Sequence, residues 1–161
     1  MQFDLTTEYI DQIKEAIGAK NNKFLHEHLQ EMHAADIAII FGQLEIDEAH
    51  YIYDLLDENI APKVLLELEE DRREELLSTF STKEIAEQID NMQSDDAADV
   101  INELPEEIQD EVLSQIEDIE QASDIADLLN YEEGTAGSLM AKELVSVYVL
   151  DTVSICIDAI R

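Results

Sequence analysis

Residues 94–107, SDDAADVINELPEE, place Asp95, Asp96 and Asp99 at the start of a short predicted helix. Asp95 and Asp99 stand four residues apart, hence on one helix face, where like charges repel. Carboxylates so placed can do one of two things. They can cap the free N–H groups of the first turn and complement the helix dipole. Or they can hold a hard cation. Mg²⁺ prefers carboxylate oxygen and keeps several of its own waters, so one or two carboxylates make a weak site for it. Spacing alone favours capping, because acidic first turns are common.

Other chemistry-bearing residues form no comparable set. His26 and His28 are two apart and point to different helix faces. His28 and His33 are five apart, also a poor pair, and no three-ligand zinc pattern emerges. His50 has Asp54 four residues on, the spacing of an ion pair. Cys156 has no spaced partner and reads as a small buried hydrophobe. Gly134 and Gly137 are not followed by the G-K-[ST] of a phosphate loop. No Ser/His/Asp constellation can be argued, so no catalytic site is expected and the chain is not read as an enzyme. Glu67, Glu69, Glu70, Asp71, Glu74 and Glu75, interrupted by Arg72 and Arg73, read as a solvated face with local ion pairs. Glu117, Asp118 and Glu120 add diffuse attraction for cations, and Glu132 and Glu133 flank a junction.

The chain has 161 residues, of which 40 are acidic and 9 are Lys or Arg, for a net charge of −31. At 45% apolar it is too hydrophobic for a disordered acidic tail. It should fold while tolerating strong self-repulsion. That balance excludes nucleic-acid phosphates and anionic lipid as direct partners and favours cations or a basic protein surface. A single cysteine rules out an internal disulfide and fits a reducing cytoplasm. The opening MQFDLTTEYI is unlike a secretory leader, and no apolar run approaches the roughly 20 residues of a membrane span.

What positions the aspartates is a repeat of twelve. Leu44, Leu56, Leu68, Phe80, Met92, Leu104, Ile116 and Leu128 are all apolar. So are the residues three earlier: Phe41, Tyr53, Leu65, Leu77, Ile89, Ile101, Leu113 and Ile125. Chance would give this on the order of once in 10⁶. A third row, four before the anchor (Ile40, Ile52, Val64, Leu76, Val100, Val112), breaks only at Gln88 and Asp124. Apolar residues at i, i+1 and i+4 mark one stripe of a helix. Twelve residues at about 100° each rotate the stripe by about 120° per repeat, so one continuous helix would smear it around the axis. Residues 35–130 therefore read as about eight short helices stacked as an α-solenoid or compact superhelix. Asp47, Asn59, Asp71 and Asp95 stand where N-caps are wanted, Ser81–Glu84 reads as a capping box, and Pro62 and Pro105 fall in first turns. Two further helices precede the stack and cap it. One runs from Thr7 to Ile17 and stops at Gly18; the other is capped by Asn21 or Asn22. The chain thus divides into an acidic helical domain, 1–130, and a second piece, 131–161. In the second piece Val145–Val149 alternates like a strand and Thr152 caps a helix from Val153 to Arg161. One strand and one helix make no core, so this piece is expected to continue into a further domain.

Three ordered segments, MHAADIAIIFGQL (32–44), SDDAADVINELPEE (94–107) and YEEGTAGSLM (131–140), resemble the cytosolic N-terminal domain of the MgtE family of magnesium transporters. Ala34 stands where the family has proline. The resemblance covers about residues 25–161 and implies an all-α, right-handed superhelix of about ten helices, followed by the beginning of a CBS domain. It implies a homodimeric bacterial channel on whose cytoplasmic side the acidic domain senses Mg²⁺. Ions bridging acidic residues of the N and CBS domains would favour the closed pore. Asp95 and Asp99 match the family's N-domain ligands and would share Mg²⁺ with the CBS domain; Lys63 stands where some members are acidic. The implied partners are the CBS domains and membrane pore of the same polypeptide. The alternative from a different class is a helical-repeat module, like that of the flagellar switch, binding a basic protein surface. The 131–149 segment favours the transporter.

Overall fold

A computed structural model describes residues 6–132, 134–142, 148–149 and 152–160. Among them are eleven helices and no strand. They are α1 (Thr7–Gly18), α2 (Asn22–Leu29), α3 (Ala34–Phe41), α4 (Ile46–Tyr53), α5 (Ala61–Glu67), α6 (Glu70–Leu77), α7 (Thr82–Ile89), α8 (Ser94–Asn102), α9 (Glu106–Gln115), α10 (Ile119–Leu128) and α11 (Val153–Ile160). The eight helices α3–α10 are the eight the repeat predicts. Each is seven to ten residues long, too short to persist alone in water.

Stability comes from stacking. Helices two apart in sequence pack together: α3 on α5, α5 on α7 and α7 on α9 in one row, with α4 on α6 and α8 on α10 beside it. The opening α1 packs on α2 and α4, as expected of a cap. The periodic rows form the core. Of the sixteen residues in the first two, all are buried except Leu56, Phe80 and Leu113, which are half-buried against it. Fully burying one such side chain contributes about 1.5–3 kcal/mol. The two breaks in the third row are both occupied by polar contacts. Gln88 accepts a bond from the buried Tyr53 hydroxyl at 2.9 Å, and Asp124 lies 3.7 Å from the Lys142 ammonium.

The ends of the helices differ in part from expectation. Ser81 and Glu84 do form a capping box, Asn21 does cap α2, and Pro62 does sit in the first turn of α5. The caps of α4, α6 and α8, however, are Glu45, Glu69 and Gln93, and Asn59 lies in the turn before α5. Asp47, Asp71 and Asp95 lie inside the first turn, where the dipole favours a carboxylate without a cap bond. Pro105 is the N-cap of α9.

Carbonyls at helix C-termini and in the turns after them accept hydrogen bonds from side chains of other helices. Arg72 Nη2 donates to the Phe41 and Leu44 carbonyls, the latter at 2.6 Å. Gln121 Nε2 donates to those of Ile89 and Met92, at 3.1 and 2.9 Å. Arg73 Nη1 reaches the Leu66 carbonyl at 3.2 Å. This corrects the reading of Arg72 and Arg73 as part of a solvated face. The neighbouring acids are exposed, but the two arginine side chains are only 19% and 14% accessible. Helix α11 begins at Val153 as expected, with the Thr152 carbonyl accepting the Cys156 N–H; Cys156 is half-buried. The expected strand falls largely outside the described residues; Tyr148 and Val149 are described and belong to no strand.

Candidate cation site

Helix α8 forms because Ala97, Ala98, Val100 and Ile101 bury one face among the stacked neighbours, chiefly α10. The opposite stripe carries Asp95, Asp99 and Glu103, each one turn apart. Their environments differ. Glu103, at the C-cap, is held by Arg73, with Nε–Oε2 at 2.7 Å and Nη2–Oε1 at 2.5 Å. Both side chains are 14% accessible, so this pair is largely sheltered. Asp99 is exposed, and its pKa is raised. Partial burial is the main cause; Asp96, Asp95 and Glu103 add to it, and Arg73 opposes them. Asp99 also lies toward the C-terminal half of the helix, where the dipole disfavours negative charge. Asp95 is half-buried, and its Oδ1 is fully shielded from solvent with no hydrogen-bond partner among the described residues.

The capping role therefore does not account for this face. Gln93 occupies the N-cap and makes no side-chain cap bond. Asp95 and Asp96 gain from the dipole in the first turn, whereas Asp99 does not. A shielded carboxylate oxygen without a partner costs free energy until a cation or donor reaches it. Among the described residues no three or more His, Cys, Asp or Glu side chains converge as a metal site. Asp95 and Asp99 can thus supply two carboxylates from this face, and Mg²⁺ would take its remaining ligands from water or from groups elsewhere.

A second acidic region lies between α4 and α7. A cleft of about 560 Å³ is floored by Tyr53, Phe80 and Gln88 and walled by Asp54, Glu58, Glu84, Glu87, Asp90 and Glu117. Four of these carboxylates already have partners. His50 lies 3.6 Å from Asp54, as its spacing predicted. Glu84 accepts the Ser81 N–H, Glu87 pairs with Lys83 at 2.7 Å, and Asp90 accepts the Glu117 N–H. Burial, with Asp54 adding to it, pushes the Tyr53 phenol far up, so it stays a neutral donor.

Three of the four histidines make side-chain contacts within the chain. His28 stacks on Phe24, His50 meets the Phe80 ring edge-on, and His26 lies against the Leu55 carbonyl and Gln30. The junction after α10 was not legible as structure. Lys142 returns the chain to α8, donating its N–H to Ser94 Oγ at 3.1 Å, with Ser94 wholly buried. Glu132 is exposed, and Glu133 lies outside the described residues.

Residues 32–134 match the family described as the MgtE intracellular N domain. The chain belongs to that family. Two solved structures are similar. One is the soluble part of a magnesium transporter, 23% identical with a TM-score of 0.80, covering 94% of this chain and 60% of that one. The other is the cytosolic domain of the Mg²⁺ channel MgtE in complex with ATP, 26% identical with a TM-score of 0.75, covering 86% and 56%. The chain thus spans under two thirds of either structure. No curated protein sequence matches at a significant level. The MgtE fold accounts for the all-α stack, and none of the described helices is long and apolar enough to cross a membrane.

Proposed function

We propose that this MgtE N domain is a Mg²⁺-sensing regulatory domain of a bacterial Mg²⁺ channel, acting on the cytoplasmic side of the membrane. Asp95 and Asp99 are its ligands. The observation that carries the reading is the shielded Asp95 Oδ1, without a partner among the described residues, one turn from a carboxylate whose charge is opposed by its neighbours. Such a face is short of positive charge, and a divalent cation relieves both defects at once. Two carboxylates give weak binding, which suits sensing of an ion abundant in the cytosol. The remaining ligands come from water and from a CBS domain following the helical domain. A bridging ion would draw the two acidic surfaces together, and its loss would let them repel. That movement, passed to the membrane pore of the same polypeptide in a homodimer, favours the closed pore when Mg²⁺ is high. On this reading the chain divides into a helical domain over 1–130 and a junction with the start of a CBS domain over 131–161. The domain works by binding and movement, without catalysis.

A Mg²⁺ titration followed by amide chemical shifts tests this. The reading expects the largest shifts at residues 94–103, absent in Asp95→Asn/Asp99→Asn. Shifts spread evenly over all acidic segments, and unchanged in the variant, would overturn it.

A further inference from the structure

The segment that leaves α10 folds back onto the α8–α10 pair. Gly134 takes a left-handed φ of +74°, which turns the chain without Cβ strain. Gly137 lies so close to the Tyr131 ring that a Cβ there would overlap it. Ser138 Oγ donates to the Thr135 carbonyl at 3.0 Å. The turn delivers Lys142 to two helices at once. Its N–H bonds Ser94 Oγ on α8, and its ammonium meets Asp127 at 2.9 Å and Asp124 at 3.7 Å on α10. Its side chain is 20% accessible, against 85% for Lys23 and 74% for Lys83, which make only local pairs.

We propose that Thr135–Lys142 is a latch, with Lys142 as its bolt, that fixes the direction in which the chain leaves the helical stack. Backbone and side chain anchor to different helices, so the segment can neither swing about one bond nor slide along one helix. The described chain thus reaches residue 142 beside Ser94 on α8, the helix that also carries Asp95 and Asp99. The ionic half of the latch is screened by salt, so its hold weakens as ionic strength rises. The latch goes beyond the sensing role and stands without it.

Trypsin cleavage after Lys142, in Mg²⁺-free buffer at low salt, reads the open population directly when reclosing is fast. Asp124→Asn/Asp127→Asn removes the ionic anchor while keeping the cleavage site. Its expected rate after Lys142 is about three- to tenfold above wild type, the scale of two partly exposed pairs. Cleavage after Lys20, in the distant turn between α1 and α2, should not change, which separates unlatching from unfolding. Ser94→Ala should move the rate the same way through the backbone anchor. Equal cleavage after Lys142 in wild type and the Asn variant would overturn the latch. Because no Mg²⁺ is present, that outcome leaves the sensing role standing.

Discussion

The α4–α7 cleft and the α8 face are both rich in carboxylates, yet they solve the charge problem differently. In the cleft four acids have partners within the chain: a capping box, a lysine, a histidine and a backbone N–H. On α8 the arginine goes to Glu103, while Asp95 keeps a shielded oxygen without a partner among the described residues and Asp99 is opposed by its neighbours. Counting acids would not separate the two regions; asking which acids are compensated does. The proposed cation site rests on that difference in partnering, not on the number of acids.

The comparison can be broken most severely at Arg73. Arg73→Met strands the sheltered Glu103 and frees the Leu66 carbonyl, at an expected cost of about 2–4 kcal/mol in urea unfolding. Adding Glu103→Gln should recover much of it, because the isolated carboxylate is then gone. Gln121→Ala removes its bonds to the Ile89 and Met92 carbonyls, of which Ile89 keeps the Met92 N–H, and should cost about 1 kcal/mol by the same assay. Asp99→Asn should act in the opposite sense. Asp99 holds its proton more tightly folded than unfolded, so ionisation costs stability as pH rises above its ordinary value of 3.8 and fully once above the raised one. Without Mg²⁺, the Asn variant should be more stable at pH 7 by about 0.2–0.5 kcal/mol, and the gain should vanish below about pH 4. Glu87→Gln in the cleft should be the mildest, costing under about 0.5 kcal/mol and leaving any Mg²⁺ response intact.

The stack was legible because its signal repeats. A twelve-residue period in three rows fixes helix number, length and buried face, and the structure buries those rows. Even the two breaks were informative, since Gln88 and Asp124 both contact long-range partners, Tyr53 and Lys142. Arg72, Arg73 and Gln121 were not legible as clamps, because their partners are carbonyls, those of Arg72 and Gln121 about thirty residues away, and a carbonyl leaves no mark in sequence. The caps slipped by a residue or two because Asp favours both the N-cap and the first turn. Spacing alone favoured capping for Asp95 and Asp99, the family resemblance singled them out as proposed ligands, and the shielding of Asp95 Oδ1 depends on tertiary packing. The docking of Lys142 on Ser94 joins residues 48 apart and was invisible to local pattern.

The most direct test of the central claim is thermal unfolding against Mg²⁺, with K⁺ adjusted to hold ionic strength constant, in wild type and Asp95→Asn/Asp99→Asn. At tenfold over the dissociation constant, binding adds about 1.4 kcal/mol, or roughly 3–6 °C in a domain of this size. The account predicts that rise in wild type and its loss in the variant. Identical responses in both proteins would contradict it and return the two aspartates to the role of first-turn charges.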